Sequence, residues 1–112
     1  MARLLHENAG FEQELFTADE LAWCGSRRRR LQHLAARFAA KEAVLKAIGS
    51  GVGKRMRWTD VEVVADATVR PCVRLHGEVA SWAEGRGLTA LDLSLAHTSG
   101  VAVAQAVAVW ER

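Results

Sequence analysis

Apolar positions recur at helical spacing between Arg27 and Ile48. Leu31, Leu34, Ala35, Phe38 and Leu45 share one face there, which predicts the longest helix of the chain. Upstream, Arg3 to Leu15 reads as a helix that is acidic in its second half. Thr17, with Glu20 three residues on and Leu21 and Trp23 following, predicts a short helix opened by a capping box. Gly49, Gly51 and Gly53 end the long helix in a basic loop. The pattern then changes period. Trp58 to Val64 and Cys72 to Leu75 predict strands around a turn holding the only proline, Pro71, and Gly77 to Gly87 suits a short helix carrying Trp82. Leu91, Leu93 and Leu95 alternate with Asp92 and Ser94, the pattern of a half-buried strand. Val101 to Val109 alternates valine with alanine, interrupted on the valine side only by Gln105. Apolar on both faces, it predicts a central strand whose alanine face lies close against a helix. The class is α+β, with a long helix packed on a small antiparallel sheet in one domain over residues 1–112.

Composition adds little to this: half of the 112 residues are apolar and a quarter charged, an ordinary globular balance. No apolar run is long enough to cross a bilayer, and no basic start leads into an apolar segment, so a cytoplasmic chain without a membrane role is expected. Cys24 and Cys72 stand far apart and outside metal-type spacing, which predicts reduced core thiols. Charge is more informative. Residues 27–58 hold ten basic residues against one acid, Glu42, a local +9 in a chain whose net charge is +2. Segregation of this kind points to an anionic partner: phosphates, nucleic acid or an acidic protein. A nucleic-acid role would use Arg27 to Arg30 and Lys54 to Arg57, but no aromatics stand among those residues to stack on bases, and no nucleic-acid partner is expected.

Glu42 is the position that breaks the pattern. It lies four residues after Phe38 and three before Leu45, in the middle of the predicted apolar stripe. A carboxylate buried there needs a metal ion, a basic side chain or a proton. With Lys41 and Lys46 beside it and a glycine-rich loop after it, Glu42 suits a magnesium ion holding a pyrophosphate whose oxygens the lysines neutralise. A buried Glu–Lys or Glu–Arg pair with no catalytic role fits the same pattern. His97, at the end of the strand Leu91 to Leu95 and before Thr98, Ser99 and Gly100, is a second candidate to meet a phosphate. The glycine loop is not a P-loop, because no Gly-Lys-Ser/Thr ends it and no strand precedes it.

The segment Leu34-Ala-Ala-Arg-Phe-Ala-Ala-Lys-Glu-Ala-Val-Leu-Lys-Ala-Ile-Gly-Ser-Gly resembles the signature of the holo-acyl-carrier-protein synthases. Its core, Lys41-Glu42-Ala43 with Lys46 beyond, is similar to that of the wider 4′-phosphopantetheinyl transferase superfamily. Phe16 to Cys24 resembles the family's capped second helix, Trp58-Thr-Asp-Val-Glu-Val its strand after the glycine loop, and Leu93-Ser-Leu-Ala-His97-Thr its late histidine motif. The resemblance implies a phosphopantetheinyl transferase-like fold and a magnesium-dependent reaction. The phosphopantetheine arm of coenzyme A passes to a serine of an apo acyl carrier protein of fatty-acid or polyketide synthesis, and 3′,5′-ADP leaves. By position, Glu42 matches a magnesium ligand and Lys46 a lysine that neutralises or protonates the leaving group near the pyrophosphate. Arg37 and His97 match contacts to coenzyme A phosphates, and Gly49 and Gly51 a loop of close approach. The family's usual assembly implies a homotrimer with sites between subunits, to which Glu42 and His97 come from neighbouring chains.

Two departures accompany the likeness. Met1 falls where the helix after the family's first strand begins, so that strand, with the Gly-Ile-Asp aspartate that is a second magnesium ligand, is expected to be missing. Glu7, Glu12 and Glu14 stand where the family's first helix often carries arginines that meet the carrier protein, leaving Arg27 to Arg30 as another docking surface. Three readings follow: a shortened active enzyme; a relative that binds a carrier protein or coenzyme A without turnover; or an enzyme in which Asp60 or Glu62 has taken over the metal.

Overall fold

The computed structural model describes residues 9–25, 28–49, 56–65, 70–98 and 101–111. Helices come first: α1 (Ala9–Leu15), α2 (Ala18–Gly25) and the long α3 (Arg30–Ile48). A 3-10 turn (Trp58–Asp60) leads into β1 (Val61–Ala65), which pairs antiparallel with β2 (Pro71–Leu75), Val61 opposite Leu75 and Ala65 opposite Pro71. Helix α4 (Gly77–Gly85) follows, then β3 (Leu88–Thr98) and β4 (Val101–Trp110), a long antiparallel pair with Leu93 opposite Ala106. The result is α+β, with α3 packed on two small antiparallel ladders. Among the described residues no helix is long and apolar enough to cross a membrane.

The capping box forms as the sequence predicts. The Thr17 amide donates to Glu20 Oε1 at 2.8 Å, and the Glu20 amide to Thr17 Oγ1 at 3.1 Å, satisfying donors that open α2. Helix α3 begins at Arg30, three residues later than predicted, behind Arg29 in the left-handed region at φ 64°. The Arg30 guanidinium grips Glu12 of α1 through two bonds of 2.9 and 2.6 Å, tying α1 to the first turn of α3. The strand expected from Trp58 starts only at Val61, because the Arg57 amide donates to the Asp60 carboxylate at 3.4 Å and closes the 3-10 turn.

Two apolar clusters hold the elements. In the larger, Ala40, Val44 and Ile48 of α3 meet Val61 and Val63 of β1, Val79 of α4 and Leu93 of β3. In the smaller, Leu15, Phe16, Cys24 and Leu34 close under α1 and α2. Cys24 is fully buried, whereas Cys72 on β2 is exposed rather than part of the core, and the two form no disulfide. The alternation in β4 is realised with its alanines toward α3, as expected. Its valines are not covered: Val101, Val103, Val107 and Val109 are 50–61% exposed. Among the described residues β4 pairs with β3 alone, so it is an edge strand and not the predicted central one.

Candidate active site on the long helix

Helix α3 carries most of the candidate chemistry, and its two sides differ. Its buried side includes Leu34, Arg37, Lys41, Val44 and Ile48. Of the residues expected to form the core stripe only Leu34 is buried; Leu31, Ala35, Phe38 and Leu45 are half-buried, and Glu42 in their midst is exposed, because the buried side of α3 is turned away from that stripe. The expected burial of Glu42 is therefore wrong. Alanines at 35, 36, 39, 40, 43 and 47 leave the helix weakly apolar almost all round, so spacing could not choose between two sides.

The buried charge is Lys41 instead. Its ammonium has no solvent exposure; it ion-pairs with Glu20 Oε1 at 2.8 Å and donates to the carbonyls of Trp58, at 3.1 Å, and Val61. Burial pushes Lys41 below the ordinary lysine range, and the Glu20 carboxylate pulls the other way. Glu20 is itself 1% exposed and accepts the Val63 amide at 2.8 Å on its second oxygen. Lys41 is thus engaged inside the fold and does not neutralise phosphate, contrary to the expectation from its place beside Glu42. Its partner was invisible in the sequence because the two residues stand 21 positions apart.

A second buried carboxylate sits close by. Thr17 Oγ1 donates to Glu62 Oε2 at 2.5 Å, and His76 Nε2 lies 3.0 Å from Glu62 Oε1. Burial raises the Glu62 carboxyl, but the bonds from Thr17 and His76, with the charges of His76 and Arg74, outweigh it and hold the group below the usual range. Asp60 closes the 3-10 turn and lies so near Gly77 that a Cβ there would stand 2.7 Å from Asp60 Oδ1. Both alternative metal carboxylates are therefore committed to internal contacts. Among the described residues no three His, Cys, Asp or Glu side chains gather in a metal-binding group.

Glu42 and Lys46 are different. Both are exposed, one helical turn apart, and Glu42 forms no ion pair or hydrogen bond with another described residue. Such a carboxylate fits one corner of a magnesium shell whose other corners are phosphate oxygens and water. Arg37 lies elsewhere on α3, 5% exposed, with its guanidinium carbon 4.0 Å from the Trp23 ring centroid. It helps line a cleft of about 200 Å³ with Trp23, His33, Ala36, Pro71 and Leu95. Trp23 is a wall residue the sequence did not single out. One described chain does not bring Arg37 and Glu42 to the same face.

Gly49 stands at φ 107°, and a Cβ on it would meet Trp82 Cη2 at 3.2 Å, so its close approach is to a side chain of this chain. Gly51 lies outside the described residues. The backbone of His97 is in β3, opposite Ala102. Of the arginines suggested as a docking surface, Arg28 and Arg29 are exposed, Arg30 is bound to Glu12, and Arg27 lies outside the described residues.

Residues 2–104 match the family model of the 4′-phosphopantetheinyl transferase superfamily. The holo-[acyl-carrier-protein] synthase of Geobacter sulfurreducens is 43% identical over 106 residues, covering 94% of this chain and 84% of that protein. That of Ruminiclostridium cellulolyticum is 41% identical over 104 residues, covering 90% and 78%. The crystal structure of the Neisseria meningitidis holo-[acyl-carrier-protein] synthase superposes with a TM-score of 0.86 at 28% identity, covering 96% of this chain and 86% of that one. The Chronobacterium ammoniagenes enzyme, solved as a coenzyme A complex, gives 0.82 at 33% identity, covering 91% and 82%. With these likenesses running through the capped helix, α3 and both ladders, the chain belongs to the holo-[acyl-carrier-protein] synthase family of the 4′-phosphopantetheinyl transferase superfamily and is a transferase.

Proposed function

We propose that this chain transfers the 4′-phosphopantetheine group of coenzyme A to a serine of an apo acyl carrier protein, with magnesium held in part by Glu42. The observation that carries the reading is the contrast on α3: Lys41 is buried in the fold, while Glu42 and Lys46 face outward with their charges available. In the transfer the serine oxygen bonds to the phosphorus that bears the pantetheine arm, the pyrophosphate bridge breaks, and 3′,5′-ADP departs. Magnesium, when bound, supplies charge neutralisation at the phosphate oxygens. Lys46 neutralises or protonates the departing phosphate. Arg37, set in its cleft by Trp23, meets a phosphate of coenzyme A, and His97 and the loop of Gly49 and Gly51 make further contacts to it. Chemistry of this kind depends mainly on positioning and charge neutralisation, which is what these side chains offer.

The exposed valines of β4 support self-association, consistent with a homotrimer that brings Glu42 of one copy toward Arg37 and His97 of another. The test is the intact mass of an apo acyl carrier protein after incubation with the chain, coenzyme A and magnesium. Gain of one phosphopantetheine with the wild type and not with Glu42→Gln is expected. No gain at high enzyme concentration, with several carriers tried, overturns the reading and leaves binding of a carrier or coenzyme A without turnover.

A further inference from the structure

We propose that Lys41 is a positioning residue of the transferase site, its buried ion pair with Glu20 fixing the rotation of α3 at which Glu42 and Lys46 face outward; this rests on the site reading above. The ammonium has three protons and three acceptors: Glu20 Oε1 and the carbonyls of Trp58 and Val61. Glu20 in turn accepts the amides of Thr17 and Val63, each at 2.8 Å. The start of α2, the 3-10 turn and β1 are thereby tied to a single point of α3. Lys41 lies between the two apolar clusters that α3 enters, Leu34 in one and Ala40, Val44 and Ile48 in the other, so its directional bonds add a defined orientation to packing that is non-directional by nature.

Successive residues on a helix differ by about 100°, so fixing Lys41 fixes Glu42 beside it and Lys46 one turn further. A side-chain tip roughly 6 Å from the axis moves about 1 Å for each 10° of helix rotation, given the dimensions of an α-helix. A displacement of that size costs about a hundredfold in rate when reacting groups must be held in place. Lys41 is the chain neighbour of Glu42, yet its side chain is buried where that of Glu42 is exposed. That is why a residue with no access to substrate would still govern turnover.

The experiment compares the full chain with Lys41→Met, and with Glu20→Gln, which keeps the shape of the carboxylate and one acceptor. Transfer to a saturating apo carrier is measured for all three at one temperature well below every melting midpoint, so that each is fully folded and stability does not limit the rate. We expect Lys41→Met to lose about a hundredfold in kcat and Glu20→Gln about tenfold, with KM for the carrier unchanged in both. Wild-type kcat in a folded variant overturns the proposal. If Lys41→Met does not fold, Glu20→Gln carries the test. The same proteins are labelled with 5-fluorotryptophan, because Trp58 packs 4.9 Å from Phe38 of α3 and reports its rotation. Broadening or doubling of the Trp58 fluorine signal in Glu20→Gln supports a helix no longer fixed, and a spectrum identical to wild type overturns it. If the wild type transfers nothing, the site reading fails, while the fluorine spectra still decide whether the pair fixes the helix.

Discussion

Glu20 and Glu42 both neighbour Lys41, one across space and the other along the chain, and they have opposite surroundings. Glu20 is 1% exposed with both oxygens engaged, and Glu42 is exposed with no bond to another described residue. A buried carboxylate of this kind serves the fold, since removing it strands the charge of its partner. An exposed one contributes little to stability and remains available to a ligand. The lysine between them shows how one signature divides its labour. Of Lys41, Glu42 and Lys46, the first faces the interior and the other two face solvent.

The contrast breaks most visibly at Glu20. Glu20→Ala leaves Lys41 buried without its carboxylate and is expected to destabilise the chain by about 3–5 kcal/mol, read as a lowered urea midpoint. At Glu42 the effect moves from stability to rate. Glu42→Gln should lower transfer about a hundredfold or more, as measured by carrier mass, while the urea midpoint stays near the wild-type value. Thr17→Val tests the junction between the two buried carboxylates. It removes the cap on α2 and the bond to Glu62, and a loss of about 1–2 kcal/mol in urea unfolding is expected. The smallest effect is one of pH. Because Glu62 is held below the usual carboxylate range in the folded chain, its contribution is full above the unfolded glutamate value, about 4.3, and fades as pH falls through the lower folded value. The wild-type urea midpoint should therefore drop more steeply on acidification than that of Glu62→Gln.

Much of this arrangement could be read from local pattern. The Thr17–Glu20 box, the long helix and the alternation of β3 and β4 each follow from spacing within a few residues, and the structure has them all. Glu42 does stand in the stripe of Leu31, Phe38 and Leu45, but that stripe is not the buried side of α3, so the ground on which the sequence marks it, burial, does not hold. What the sequence hid was long-range. Lys41 finds Glu20, Trp58 and Val61, Arg37 finds Trp23, and Glu62 finds Thr17 and His76, none of them within one helical turn of the residue they meet. The outer face of β4 was obscure for another reason: alternating valine and alanine reads as two covered faces, whatever covers them. The described residues cover only the alanine side.

The two cysteines give the chain a built-in clock. Cys72, on the surface of β2, is open to a thiol reagent from the start, while Cys24 is sealed in the smaller cluster and reacts only when that cluster parts. The prompt phase counts molecules, and the delayed phase times the opening of the corner where α1, α2 and the start of α3 meet. Followed across denaturant, that delay would show whether this corner opens alone or only when the whole chain unfolds.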